Sequence, residues 1–568
     1  MANCLLHVQF CCMLVAVFML QQLVHGNCLD IWYPPATRGV NTSDHLYVVD
    51  DYSWSIDDQL LVQSLQGVSA RTAPAVYRNQ SDGPPGPQTN AAPMWLDLLL
   101  DFNLVTTVTE VESARQLLSY LVERVTGYVL GDASQPNSAL TAASGLDGNV
   151  VVATEVTEIL LQEHGVGLVM DVRNMSVLEV INALNGSAQF SRCTVSMQEP
   201  AKGSYLADFT IFSRGITFFA ENMSDEIVTR VMSWLKTPAT VFGWGRSEED
   251  MVQTTSHYGH MVHAADWALN LATLTNYHIP SVQWLSLLSQ KGETSTRATA
   301  GHCSVANTRS TSVHTVTFFL TDGDNIQWLL SNFATSSSWW ASPLRGQVPL
   351  GWTLSPALDS LAPVVMHYLY MTATSNDTFL AAPSGLGYVY PDLMLKAPDG
   401  REKLGDFADL TLDHMKKTGM TVLNVLGWEY SQEAANLMTT GTKDRDNAEE
   451  DVIQGVFWMS KASAEHGEIN RTPAGVPVVL PRYQLAWWAD NVTTLLDKLE
   501  AMPKDPTSPL GYSMIPVFVW DYGVPDVVTL VAKLEEIGGF DIVSPTEFLT
   551  RISTWLLVDD ARCESPAV

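Results

Sequence analysis

The stretch HTVTFFLTDGDNIQWLLSNF, residues 314–333, sets the reading of this chain. Its first seven residues are mostly β-branched or aromatic, as suits a buried strand, and they stop at a cluster of Asp, Gly and Asn. A helical pattern begins at Ile326. Strand, polar turn and helix then recur. The further strands expected are QVPLGWTL (347–354), DTFLAAP (377–383), TVLNVLG (421–427), DVIQGVFW (451–458), VPVVLP (476–481), MIPVFVW (514–520) and FDIVS (540–544). Seven or eight such units in about 250 residues predict a C-terminal (β/α) barrel of TIM-like type. An open doubly wound sheet is the alternative, because periodicity does not encode closure. Both architectures place function at the C-terminal ends of the strands.

Upstream of residue 300 the chain is again α/β, in smaller units. HLYVVD (45–50) reads as a strand and DDQLLVQSLQGVSAR (57–71) as a helix, followed by a polar, Pro-rich surface loop over 79–93. VTGYVLGD (125–132), NVVVAT (149–154) and GVGLVMDV (165–172) alternate with helical segments, which predicts a parallel sheet. A third unit runs through DFTIFSRGITFF (208–219), the helix DEIVTRVMSWL (225–235) and the strand ATVFGWG (239–245). The division expected is a signal peptide at 1–26, small α/β domains at 27–97 and 98–172, a third domain at 173–300 and the barrel at 301–560.

The chain has 568 residues, with 31 Lys+Arg against 61 Asp+Glu and a formal charge of −30. Such a field repels a phosphate backbone, which excludes nucleic acid and leaves neutral polysaccharide as a compatible partner. The apolar run Cys11–Leu20, with Val24 and Gly26 suited to cleavage, reads as a signal peptide, although its start carries His7 and no Lys or Arg. Export is therefore expected, to the extracellular space or the lysosome. No later run reaches the ~18 apolar residues of a membrane span. Once Cys4, Cys11 and Cys12 are removed with that segment, Cys28, Cys193, Cys303 and Cys563 allow up to two disulfides in three pairings. Sequons at Asn41, Asn79, Asn174, Asn185, Asn222, Asn376, Asn470 and Asn491 predict N-linked glycans.

The strand ends supply the candidate chemistry. After the first strand, Asp322, Asp324 and Asn325 crowd one turn, with Gly323 permitting it; helix capping would need only one of them. DTFLAAP is followed by Ser384–Pro391, where Gly385 and Gly387 bend the chain and Tyr388 and Tyr390 supply rings and hydroxyls suited to sugar. TVLNVLG leads to Trp428-Glu429, a carboxyl beside an indole, which by desolvation would suit a general acid. Arg482 follows VPVVLP and could orient a carboxylate or bind an acidic substrate. Asp521 follows MIPVFVW. Glu547, in SPTEF, reads as a capped first helical turn. Were the chemistry glycosidic cleavage, which uses two carboxyl groups, Glu429 would be expected as acid with Asp322 or Asp324 as base or nucleophile, Asp521 in reserve. His257, His260 and His263 would fan around a helix rather than converge, so neither a metal site nor a cofactor is expected.

The octapeptide Ser384–Pro391 carries GLGYVYP. With LQGVSART (65–72), GWGRSEED (243–250), DWALNL (266–271), TDGDN (321–325), GWTLSPALDSLAP (351–363) and NVLGWE (424–429), it makes the chain resemble the GxGYxYP family over roughly residues 30–555. That resemblance implies a glycoside-hydrolase barrel accompanied by N-terminal domains, acting on carbohydrate. Two alternatives differ in class. One is a metal-dependent carbohydrate deacetylase using Asp322, Asp324 and His367; the other is a glycan-binding or structural glycoprotein without catalysis.

Overall fold

The computed structural model describes residues 42–80, 91–184, 186–279, 312–321, 325–442, 453–462 and 467–563. The expected signal peptide, Asn41, Asn185, Cys28, Cys303, Asp322 and Asp324 lie outside these residues.

Three small parallel sheets precede the large one. The first has β1 (His45–Val49), β2 (Val76–Arg78) and β3 (Thr107–Val111) in the order β2-β1-β3. The second has β4 (Gly127–Leu130), β5 (Val150–Ala153) and β6 (Leu168–Asp171) in the order β5-β4-β6. The third has β7 (Thr194–Met197), β8 (Ile216–Phe218), β9 (Thr240–Gly243) and β10 (Met261–His263) in the order β10-β9-β7-β8. Helix Ile56–Ala70 starts where Ser55 accepts from the Asp58 N–H and is buried along nearly its whole length. It can lie that close to its neighbour because Gly67 has no Cβ: one would sit 2.5 Å from the Asp208 carbonyl oxygen.

The large sheet contains β11 (His314–Thr321), β12 (Leu350–Leu354), β13 (Asp377–Ala381), β14 (Val422–Gly427), β15 (Gly455–Ser460), β16 (Ile469–Arg471), β17 (Pro477–Val479), β18 (Tyr512–Phe518) and β19 (Phe540–Ile542). Their order is β16-β17-β15-β14-β13-β12-β11-β18, with β19 paired to β11; all pairs are parallel except β16 with β17. The sheet is a curled half-barrel, not the unbroken TIM-like ring expected from the repeat. β17 is only three residues long and pairs antiparallel with β16, the strand just before it; beyond β17 a single parallel bridge, Leu485 with Val517, meets β18.

One end of the curl is closed. Phe319, Leu380, Phe457, Val479 and Met514 from the strands form one buried cluster with Phe548, Leu549 and Ile552 of the last helix, Pro545–Cys563. That helix lies against the strand starts. A Cβ on Gly455, the first residue of β15, would lie 2.5 Å from Leu549, and Gln454 donates to the Thr546 carbonyl at 2.8 Å. At the other end the facing residues turn polar: Thr321 Oγ1 donates to Asn424 Oδ1 at 3.4 Å, and Asn424 Nδ2 to the Phe457 carbonyl at 3.2 Å.

The first unit docks on the large sheet's helices. Trp95 Nε1 donates to the Leu330 carbonyl at 2.8 Å, and its ring meets Tyr368 at 5.8 Å. His367 packs edge-on against Phe102 at 4.9 Å in the same seam. Among the described residues no helix is long and apolar enough to cross a membrane. Asn174, Asn222 and Asn491 are exposed, while Asn79, Asn376 and Asn470 are half-buried. Cys193 is buried, and the side chain of Cys563 is outside the described residues.

Candidate active site at the C-terminal rim

The signature loop leaves β13 through Ser384 and Gly385, both with positive φ, at 54° and 94°. Only glycine fits the second position, since a Cβ there would lie 2.3 Å from Thr411 Cγ2. Ser384 Oγ donates to the Val389 carbonyl at 2.8 Å and accepts from the Leu426 N–H at 3.1 Å, fixing the loop to the end of β14. Tyr388 and Val262 of β10 exchange backbone hydrogen bonds at 2.9 and 3.0 Å, and the Tyr390 N–H donates to Ser256 Oγ at 2.9 Å. The loop therefore joins the third sheet to the large one.

This seam buries both tyrosines; Tyr388 is 1% exposed. Its ring stacks on Trp244 at 6.4 Å, and Tyr390 packs on Trp428 at 5.8 Å. The sugar-facing stacking surface expected of Tyr388 and Tyr390 is thus occupied by the protein's own rings, and Gly385 and Gly387 serve the seam. The reason is non-local: the covering surface comes from a segment about 140 residues earlier. The Tyr388 hydroxyl donates to Glu248 Oε1 at 2.6 Å, and Lys461 Nζ reaches the same oxygen at 2.7 Å. Burial first, then the Glu248 charge, holds the Tyr388 pKa well above its ordinary value, so the hydroxyl stays a donor. Glu248 opens helix Glu248–Tyr258, keeps about a third of its side chain in solvent, and had no role in the sequence reading. The segment GWGRSEED was its only signal.

A second residue missed in the sequence is Asp392, which follows the signature directly. Its carboxylate is buried and accepts from the Trp428 N–H at 2.9 Å and the Glu429 N–H at 3.2 Å. Burial raises its pKa, and the two N–H groups oppose that shift. Asp392 therefore orients the turn that carries Glu429. The Glu429 side chain is 56% exposed, with Lys396 Nζ 3.7 Å from Oε2. The neighbouring Trp428 indole turns toward Tyr390 and leaves this side chain largely in solvent.

The opposite side of the rim follows β18. Asp521 Oδ2 accepts from the Trp487 N–H at 2.9 Å. Trp487 and Trp488 are 75% and 51% exposed, and Trp520 is 37% exposed. The tandem indole in AWWAD (486–490), which had no role in the sequence reading, is what marks this cluster in the sequence. Glu429 follows β14 and Asp521 follows β18, strands four places apart in the sheet order.

Arg482 follows the end of β17 by three residues. Its Nη2 donates to the Gly467 carbonyl at 3.3 Å, and its charge helps lower the pKa of His314 at the opposite end of β11, after burial. Asn325 begins helix Asn325–Leu330, but its side chain and the carboxyls of Asp322 and Asp324 lie outside the described residues. Glu547 is the capped residue expected, its N–H donating to Ser544 Oγ at 3.2 Å. The histidine run is not one helix: the helix ends at Tyr258, and His263 sits on β10. Burial lowers the pKa of His260 to about 4 and that of His263 to about 3. Among the described residues no group of three or more His, Cys, Asp or Glu could hold a metal.

Comparison with known proteins gives a consistent set. Residues 312–553 match the model described as "GxGYxYP putative glycoside hydrolase C-terminal domain", residues 191–276 the "GxGYxYP third domain" and residues 45–123 the "GxGYxYP_N 1st domain". A crystal structure described as "a putative hydrolase from Bacteroides thetaiotaomicron VPI-5482" is similar over 90% of this chain and 95% of its own. The identity is 22% and the TM-score 0.75, which shows a shared fold. No curated protein matches the chain.

Proposed function

We propose that this chain, which belongs to the GxGYxYP family, is an exported glycoside hydrolase that cleaves glycosidic bonds at the C-terminal rim of its curled sheet. The hydrolase class is supported by the description of the family and that of the structural neighbour. The observation that carries the location is the asymmetry of the curl. Its N-terminal end is filled by Phe548, Leu549 and Ile552, whereas at the other end Glu429, Asp521 and Glu248 stand in or near solvent, Asp521 beside exposed indoles. In this reading Glu429 protonates the leaving oxygen, and Asp322 or Asp324, on the turn after β11, acts as base or nucleophile, with Asp521 as the alternative partner. A bound sugar would cover Glu429 and displace water from it. Export is supported by the N-terminal apolar segment and by the exposure of Asn174, Asn222 and Asn491.

Release of reducing ends from a panel of neutral oligosaccharides by the purified protein tests the activity. No release from any member counts against it. A sugar-binding role without catalysis is the second reading. It is favoured by the existing partners of two candidate carboxylates, Lys396 on Glu429 and the Trp487 N–H on Asp521. The deacetylase alternative loses its expected imidazole, since His367 is buried against Phe102 in the seam with the first unit.

A further inference from the structure

We propose that Trp487 and Trp488 form a sugar-binding subsite that holds an extended neutral glycan beside the cleavage position. The inference rests on the glycan reading of the same rim, but it concerns how a chain is gripped rather than how a bond is broken. Two adjacent indoles largely in water leave unburied an area that a folded chain normally covers. Their exposure does not reflect a loose segment. Leu485 is held by the Pro516 carbonyl and accepts from the Phe518 N–H at 3.0 and 2.9 Å, and the Ala486 N–H donates to the Asp490 carbonyl at 3.1 Å. Trp488 packs edge-on against Phe518 at 4.5 Å, and the Trp487 backbone is tied to Asp521. The rings are presented on a fixed turn, 5.5 Å apart and at 89° to each other.

This geometry suits sugars in two ways. An indole face takes the C–H face of a pyranose, while the ring's hydroxyls point outward to acceptors. Asp521 supplies such an acceptor: one oxygen takes the Trp487 N–H, and the other has no hydrogen bond among the described residues. Orthogonal rings can contact successive units of a chain that turns between them. Trp520, on the same strand end as Asp521, is itself partly exposed and is fixed by packing on the buried Trp339 and Trp328 at 5.9 and 6.4 Å. Charge selects against an anionic polymer. The nearby Lys498 is paired with Asp490 at 2.5 Å, and the chain carries a formal charge of −30.

The test is native gel electrophoresis of the full chain in gels containing xyloglucan, mixed-linkage β-glucan, galactomannan, xylan or dextran, beside a gel without glycan. Retardation by at least one polymer is expected. In the W487A/W488A variant the affinity read from that retardation should fall about tenfold or more, with unchanged circular dichroism. No retardation by any polymer, or equal retardation of the variant, overturns the proposal. So does concentration-dependent self-association that the double substitution abolishes while no polymer retards the protein, since a second copy would then be the occupant. Binding is read without turnover. Retardation lost in the variant, with no reducing ends released, would leave the subsite standing and remove the hydrolase reading; equal cleavage and equal retardation would do the reverse.

Discussion

Tyr388 illustrates what a side chain's sequence position leaves open. Its place after a strand, in a glycine-rich turn, was legible; that its hydroxyl would meet a glutamate from a helix 140 positions earlier was not. Replacing it with Phe keeps the ring packing and removes one buried donor to Glu248. The expected cost is about 1–2 kcal/mol, read as a lower thermal midpoint, and a midpoint equal to wild type would refute the bond's role. Asp392 is the parallel case on the other side of the signature: Asp392→Asn keeps the volume but weakens the anchor of the Trp428–Glu429 turn. Asp359 gives a pH-dependent case. Burial pushes its carboxyl up to about 6, with Lys417 acting in the opposite direction. The folded state therefore keeps a proton that the unfolded chain releases near pH 4, and the associated stability is lost as pH rises through about 6. Asp359→Asn should raise the midpoint relative to wild type at pH 7.5, with the gain shrinking at pH 4.5. An equal shift at both values would contradict the assignment.

At the level of elements, all eight strands expected in the C-terminal half are present as β11–β15 and β17–β19. Each is a short β-branched or aromatic run bounded by polar turns, so local composition carries the information. The three-residue β16 is too short to announce itself, and DFTIFSRGITFF divides into a helix, Ala207–Ser213, and β8 within one apolar run. Curvature was also not legible, because pairing between β17 and β18 depends on how far the chain bends after Val479. The last helix has a specific mechanical part, since Phe548 fills the closed end. Phe548→Ala should cost about 3–5 kcal/mol through the cavity it leaves, lowering the thermal midpoint by several degrees. An unchanged midpoint would show that this end is not sealed as described. Gly385→Ala combines a positive φ with a blocked Cβ position. It should reduce the yield of folded protein more than Gly186→Ala, where nothing lies within 4 Å of the added carbon.

Across the whole molecule, the domains share surfaces rather than merely following one another. The Trp95 indole bonds to Leu330, Tyr388 bridges to Val262, and one buried cluster includes Leu46, Phe242, Trp328 and Val425. Residues 312–553 expressed alone would leave Tyr388, Tyr390 and Tyr368 without these covers. That fragment should melt below the full chain and bind a hydrophobic dye; a fragment with the full chain's midpoint would contradict the shared core. The same interlocking brings Glu248 from the third sheet toward the rim, where the proposed chemistry is placed. The most direct test of that placement is the rate of reducing-end release from a cleavable neutral oligosaccharide by wild type, Glu429→Gln, Asp322→Asn, Asp324→Asn and Asp521→Asn, each with its circular dichroism. The account predicts that Glu429→Gln and at least one Asp variant lose about a hundredfold or more while remaining folded. Wild-type rates in all four variants would contradict it.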